Sequence, residues 1–157
     1  YGNLCQRVIA FNEKNCNLAI PEKGDLKKED LDLLDNYKDN LDKLRSFIDK
    51  QDLNSYINFI IDGLFAANKY FNDQEPWKKK SDLVRLNTIV YVSLETIRKI
   101  SIMLYPIIPD SSLKVLDVFG LNENNIKFES IKNHEELIIN NKIKKIEILF
   151  KKIENND

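Results

Sequence analysis

Special residues are scarce in this 157-residue chain: four glycines, four prolines, two cysteines, one histidine and one tryptophan. Each shortage excludes something. Glycines at Gly2, Gly24, Gly63 and Gly120 are too dispersed to build a phosphate-binding loop. Cys5 and Cys16 fall eleven residues apart in one predicted helix. That separation is about 16 Å at the helical rise, beyond disulfide reach. They read as reduced thiols facing a core, with a cytoplasmic location implied. One histidine, His134, and two distant cysteines make no zinc site of usual spacing. No serine or cysteine has a histidine base one turn away, so nucleophilic catalysis is not encoded. His134 lies in a polar stretch and reads as solvated. No apolar run approaches the roughly 20 residues of a membrane span, and no basic-then-apolar leader opens the chain. A strong excess of either sign is missing too: the net charge is −1, whereas a dedicated nucleic-acid binder is usually basic. The acidic pairs Glu29/Asp30 and Glu135/Glu136 read as solvated faces. Recognition rather than catalysis is what survives.

Helical periodicity is abundant. Leu4, Val8 and Phe11 mark a first helix ending near Asn17. After a loop with Pro21 and Gly24, Asp25 is a candidate cap for a second helix running from Leu31 through Tyr37 to Ile48. Asp52 can cap a third, with Ile57, Ile60, Ile61, Leu64, Ala67 and Phe71 as its buried stripe. Ser81 or Asp82 can start a fourth, apolar on nearly all sides from Leu83 to Leu104, as expected at the centre of a bundle. Pro109 suits the first turn of a fifth helix and Gly120 the position past its end. Beyond it, Asn-rich connectors surround a short turn near Asn122 to Asn125, and periodicity leaves 143–153 undecided. The expected fold is all-α: one domain over 1–157, an antiparallel bundle of about five helices over about 1–120, and an irregular tail over about 121–157. The start at Tyr1 reads as mid-helix, so a fragment of a longer protein is expected.

The one tryptophan sits where function is easiest to imagine. Trp77 follows Pro76 at the junction of the third and fourth helices and precedes Lys78, Lys79 and Lys80. A flat ring beside cations can stack a nucleobase while lysines meet phosphates. A core plug at an interhelical turn is the competing reading.

Several motifs now join. Asn3-Leu4-Cys5-Gln6-Arg7 puts Asn3 and Arg7 on one helix face. Ala67-Asn68-Lys69-Tyr70-Phe71 leads into Pro76-Trp77. Val90-Tyr91 and Ile97-Arg98 precede Leu104-Tyr105-Pro106-Ile107-Ile108-Pro109, and the chain closes on Ile148-Leu149-Phe150-Lys151-Lys152-Ile153-Glu154-Asn155. In order and spacing, these resemble the anticodon-binding domain of methionyl-tRNA synthetases, a class Ia aminoacyl-tRNA synthetase domain. That family carries an Asn-Leu-x-x-Arg helix, an Ala-Asn-x-Tyr segment running into Pro-Trp, and a Leu-Phe-Pro-Arg-Ile-Glu ending. Lys151-Lys152 departs from its Pro-Arg.

The resemblance implies a tail over about 121–157 that runs back partly extended towards the catalytic domain, and it implies roles. Trp77 would stack on cytosine, the first anticodon base; Asn3 and Arg7 would bond its edge; Pro76 would shape the platform. Lys78, Lys79 and Lys80 would lie near the RNA backbone. An Asn carbonyl can take cytosine's amino proton and a guanidinium can serve its acceptors. The implied partners are the tRNA(Met) anticodon loop and the catalytic domain of the same chain, in a monomeric enzyme, with no membrane. The adenylating motifs His-Ile-Gly-His and Lys-Met-Ser-Lys-Ser are absent from these residues, so the segment itself is expected to bind without aminoacylating. ATP with magnesium, and zinc, would belong to the missing catalytic portion, and no cofactor to this one. Two alternatives stand beside this: the bundle of a valyl or cysteinyl synthetase, and a helical protein-interaction module with Trp77 in its core.

Overall fold

The computed structural model describes residues 1–151. Its α-helices are α1 (Gly2–Cys16), α2 (Lys28–Asp39), α3 (Leu41–Asp49), α4 (Leu53–Gln74), α5 (Leu83–Leu104) and α6 (Pro109–Val118). Short 3-10 turns cover Pro76–Lys78, Glu123–Asn125 and Phe128–Lys132. No strand occurs among the described residues, only an isolated antiparallel bridge between Ala19 and Lys142.

The all-round apolar helix is the centre, as its pattern requires. Nearly every side chain of α5 from Leu86 to Leu104 is buried. Helices α1, α2, α4 and α6 all pack on it. Hydrogen bonds at both ends show α4 and α5 running antiparallel: Arg85 reaches Gln74 at 2.7 Å, and Tyr56 donates to the Met103 carbonyl. The first helix is antiparallel to α5 too, with Tyr1 Oη 2.6 Å from Ser101 Oγ and Cys16 beside Asn87. Close packing of α2 on α4 explains Gly63. Tyr37 donates to the Gly63 carbonyl at 2.8 Å, and a Cβ on that residue would sit 2.8 Å from Tyr37 Cε1.

Several expectations need correcting. The second helix is broken into α2 and α3 at Asn40, whose side chain bonds the Asn36 carbonyl at 2.7 Å and competes with the continuing ladder. Its apolar stripe carries on across the break, with Tyr37, Leu41 and Leu44 all buried. Asp25 does not cap α2. The helix begins at Lys28, and Asp30 reaches back to the Lys27 amide at 2.8 Å. Asp30 is therefore not solvated; it is fully buried. Nor is His134 merely solvated: it is half-buried, with Nε2 2.8 Å from Asp35 Oδ1. Asp52 and Asp82 cap α4 and α5 through Ser55 and Arg85 amides, as read. Gly120, at φ 73°, takes the left-handed conformation just beyond α6.

The tail holds no α-helix through residue 151. Instead, the Ile20 amide donates to the Asn141 carbonyl at 2.9 Å, the Ile20 carbonyl accepts from the Asn140 amide at 2.8 Å, and the Ile143 amide reaches the Leu18 carbonyl at 2.8 Å. A polar cluster on α5 organises the segment before it. Arg98 pairs with Glu95 at 2.8 Å and donates to the Ser130 and Asn133 carbonyls, as Lys99 does to Ile131 and Asn133. Glu95 accepts the Leu137 amide at 2.7 Å. Irregular backbone cannot satisfy itself as a helix does, so buried side chains on α5 supply the partners. The expectations for Lys152 to Asn155 lie outside the described residues.

Candidate nucleic-acid interface

The turn between α4 and α5 is built to present an indole. A residue before proline avoids the right-handed helical region. Glu75 lies outside that region at φ 45°, the left-handed conformation that commonly ends a helix, and the chain leaves α4 abruptly. Pro76, at the start of a 3-10 turn, is buried; Trp77 beside it is 42% exposed. A core plug would bury the larger apolar ring. Here the proline is the anchor and the indole stands half in solvent.

Beneath this turn lies a closed polar network. Arg85 on α5 forks onto Asp30 of α2 at 2.6 and 2.9 Å and also reaches Gln74, the last residue of α4. Tyr70 donates to the same carboxylate at 2.5 Å. Burial alone would raise the Asp30 carboxyl; the Arg85 and Tyr70 hydrogen bonds outweigh it and hold that carboxyl below its usual range. Burial and the neighbouring carboxylate push the Tyr70 hydroxyl well up, so it stays a donor. Three helices are thus pinned together at the level of the Trp77 turn.

Arg7 comes to the same place from α1. Its Nη1 lies 3.4 Å from Asn68 Oδ1 and its Nη2 donates to Asn72 Oδ1 at 2.5 Å. Asn68 and Asn72 are one turn apart on α4, so they face α1 together. Asn68 donates its own amide to the Leu64 carbonyl at 3.0 Å, which leaves its oxygen turned towards Arg7. Between Arg7 and Trp77 stands Phe71. The guanidinium carbon lies 5.4 Å from the Phe71 ring centroid, and the indole meets that ring edge-on at 6.0 Å. Phe11, one turn beyond Arg7, packs edge-on against Phe71 at 5.8 Å.

Asn3 is exposed on the same face of α1, one turn before Arg7. It lines an open groove of about 990 Å³ with Gln6, Ile148, Phe150 and Lys151. The Phe150 ring covers Gly2 so closely that a Cβ there would sit 3.2 Å from it. The three lysines differ. Lys78 pairs with Glu75 at 2.5 Å, and Lys79 caps α4 through the Gln74 carbonyl at 3.0 Å. Lys80 is exposed and has no ion-pair partner among the described residues.

Among the sequence-selected residues, then, Arg7 and Trp77 are brought together around Phe71, with Pro76 next to Trp77 in the turn and Asn3 one turn before Arg7 on α1. Asn68, Asn72 and Phe71 were not singled out as functional. The i,i+4 asparagines on one face of α4 were the available signal. Cys5 is buried in α1 and its thiol is pushed up to about 12 by burial, so neither it nor the half-buried Cys16 is a poised nucleophile. Among the described residues, no group of three or more His, Cys, Asp or Glu side chains is arranged to hold a metal ion. No helix there is long and apolar enough to cross a membrane.

Residues 20–157 match the family described as the anticodon binding domain of methionyl tRNA ligase. That span includes Pro76 and Trp77 but begins after Asn3 and Arg7. The methionine–tRNA ligase of Brucella suis is 34% identical over 131 residues, covering 83% of this chain and 25% of its own length. The Pyrococcus abyssi ligase is 30% identical over 155 residues, 97% of this chain and 20% of its own. The apo structure of Mycobacterium tuberculosis methionyl-tRNA synthetase superposes with a TM-score of 0.88 at 28% identity, covering 95% of this chain and 31% of that one. The chain spans about a quarter of the length of the curated relatives it matches.

Proposed function

The chain belongs to the anticodon-binding domain family of methionyl-tRNA ligases, and we propose that it reads the CAU anticodon of tRNA(Met) for a methionine–tRNA ligase. The whole protein joins methionine to that tRNA using ATP in the cytoplasm, as a monomer. Residues 1–157 form one binding domain of it, which docks against the catalytic portion. ATP with magnesium, and zinc, are assigned to that catalytic portion, and no residue of this chain is offered as their ligand.

One observation carries the reading of the site. An exposed guanidinium and a half-exposed indole, 70 residues apart in sequence, flank a single buried ring at 5.4 and 6.0 Å. Trp77 stacks the first anticodon base, cytosine, on the platform that Pro76 holds. Stacking tolerates any base, so discrimination falls to Arg7 and Asn3 on the cytosine edge. Arg7 has five N–H donors, of which the two asparagines occupy two. The others remain for a ligand. The loop backbone passes near Lys80, with Lys78 and Lys79 secondary because each already has a partner.

The first test is Trp77→Ala in the full-length protein. Charging of tRNA(Met) should fall strongly while methionine activation by ATP stays intact. Equal loss of both would make Trp77 a structural residue and end the stacking assignment. Replacing the first anticodon base of the tRNA separates this reading from a valyl or cysteinyl one. A helical interaction module is disfavoured by the exposure of the indole.

A further inference from the structure

We infer that Phe71 is a positioning residue that couples the two halves of the anticodon site, fixing Arg7 with its face and Trp77 with its edge. This rests on the site reading above and goes beyond it. The residues assigned to touch the base are Asn3, Arg7 and Trp77. Phe71 is 2% exposed and touches none of it.

The chemistry of an aromatic ring suits this place. Its face is electron-rich and its edge electron-poor, so a cation settles on the face and a second aromatic ring meets it at a steep angle. Both arrangements occur at once. Arg7 lies over the ring at 5.4 Å, and the Trp77 plane is inclined to it by 66°. Phe11 meets the ring at 85° from α1, so Phe71, on α4, packs against both α1 and the Trp77 turn. An exposed arginine ordinarily samples many rotamers and loses that freedom on binding. Here that freedom is already restricted by the ring beneath and by Asn68 and Asn72 at the fork. The partners are neutral amides rather than carboxylates. They aim the guanidinium without cancelling its charge, and the binding of an anionic loop keeps the benefit of that charge. Because one ring holds both groups, moving either disturbs the other, and their contributions should not be independent.

The test is a double-mutant cycle on the full-length protein, reading KM and kcat for tRNA(Met) charging and, separately, methionine activation. Arg7→Ala and Trp77→Ala are combined in two backgrounds, Phe71 and Phe71→Leu. Leucine keeps most of the volume but has no quadrupole; Phe71→Met is a second ring-free variant if the leucine form fails to fold. With Phe71 present, the two losses combined should fall short of their product by roughly 5-fold, the scale of such contacts. In the ring-free background they should multiply. Phe71→Leu alone should raise KM for tRNA roughly 5-fold with methionine activation unchanged. An unchanged KM, or coupling that persists without the ring, overturns the role of Phe71 while leaving the site reading in place. Loss of activation in parallel with charging makes Phe71 a packing residue only and overturns it as well. If Arg7→Ala and Trp77→Ala are each silent, the site reading itself falls, and the coupling with it.

Discussion

Two arginines approach the end of α4, and they are held in opposite ways. Arg85 is buried and forked onto the carboxylate of Asp30, with Gln74 accepting a further hydrogen bond. Its charge is cancelled and its donors face protein. Arg7 is exposed, bonded to the amide oxygens of Asn68 and Asn72 and laid over Phe71. Its geometry is restrained but its charge is not. The difference separates the scaffold from the arginine proposed to read the base. A buried fork closes the junction of α2, α4 and α5, and on that closed junction an uncancelled fork can be aimed outward.

Breaking the buried fork should have the largest effect. Arg85→Ala leaves Asp30 ionised and unpaired in the core, so unfolding free energy should drop by about 3–5 kcal/mol. Urea denaturation of the full-length protein measures it; a loss under about 1 kcal/mol would mean the fork contributes little. Arg7→Ala is the mirror experiment. Stability should move by no more than about 0.5 kcal/mol, as for other exposed changes. The kcat/KM for tRNA(Met) charging should nevertheless fall roughly 10- to 100-fold, the scale of one charged hydrogen bond. A melting shift comparable to that of Arg85→Ala would erase the distinction.

Acid sharpens the contrast further. The Asp30 carboxyl is held below its ordinary range when folded and returns to it when unfolded. Its contribution to stability is therefore fully present above the ordinary carboxylate range and is lost as pH falls through the lower, folded value. Unfolding midpoints measured from neutral pH downward should fall less steeply in Asp30→Asn than in wild type. Identical slopes would remove Asp30 from the account. The smallest effect is expected at the lysines. Lys80→Ala should lower the salt dependence of tRNA binding by about one unit of slope or less, with affinity changed about 2-fold. Lys78→Ala should change it less, because Glu75 already holds that ammonium.

The elements that periodicity and capping control were legible in the chain. The central position of α5 follows from its apolar surface, and Asp52, Asp82, Pro109 and Gly120 mark the ends they were expected to mark. Long-range pairs were not. Asp30 and Arg85 are 55 residues apart, and nothing local to Asp30 distinguishes it from a solvated acid until α5 is folded against α2. The break at Asn40 was missed because the apolar stripe continues through it while a single side chain diverts one backbone carbonyl. At the site, motif order singled out Asn3, Arg7, Pro76 and Trp77. The asparagines and the phenylalanine that hold Arg7 became visible only when α1 was laid against α4.

The central claim is that Arg7 discriminates and Trp77 only stacks. The direct measurement is kcat/KM for tRNAs with CAU and UAU anticodons, compared among wild type, Arg7→Ala and Trp77→Ala. Wild type should prefer CAU. Trp77→Ala should weaken both tRNAs by roughly 5- to 100-fold, as loss of stacking would, and reduce the preference by no more than the roughly 5-fold coupling through Phe71. Arg7→Ala should collapse the preference by at least about 10-fold, as loss of edge contacts would. A preference that survives Arg7→Ala and disappears in Trp77→Ala would contradict the account.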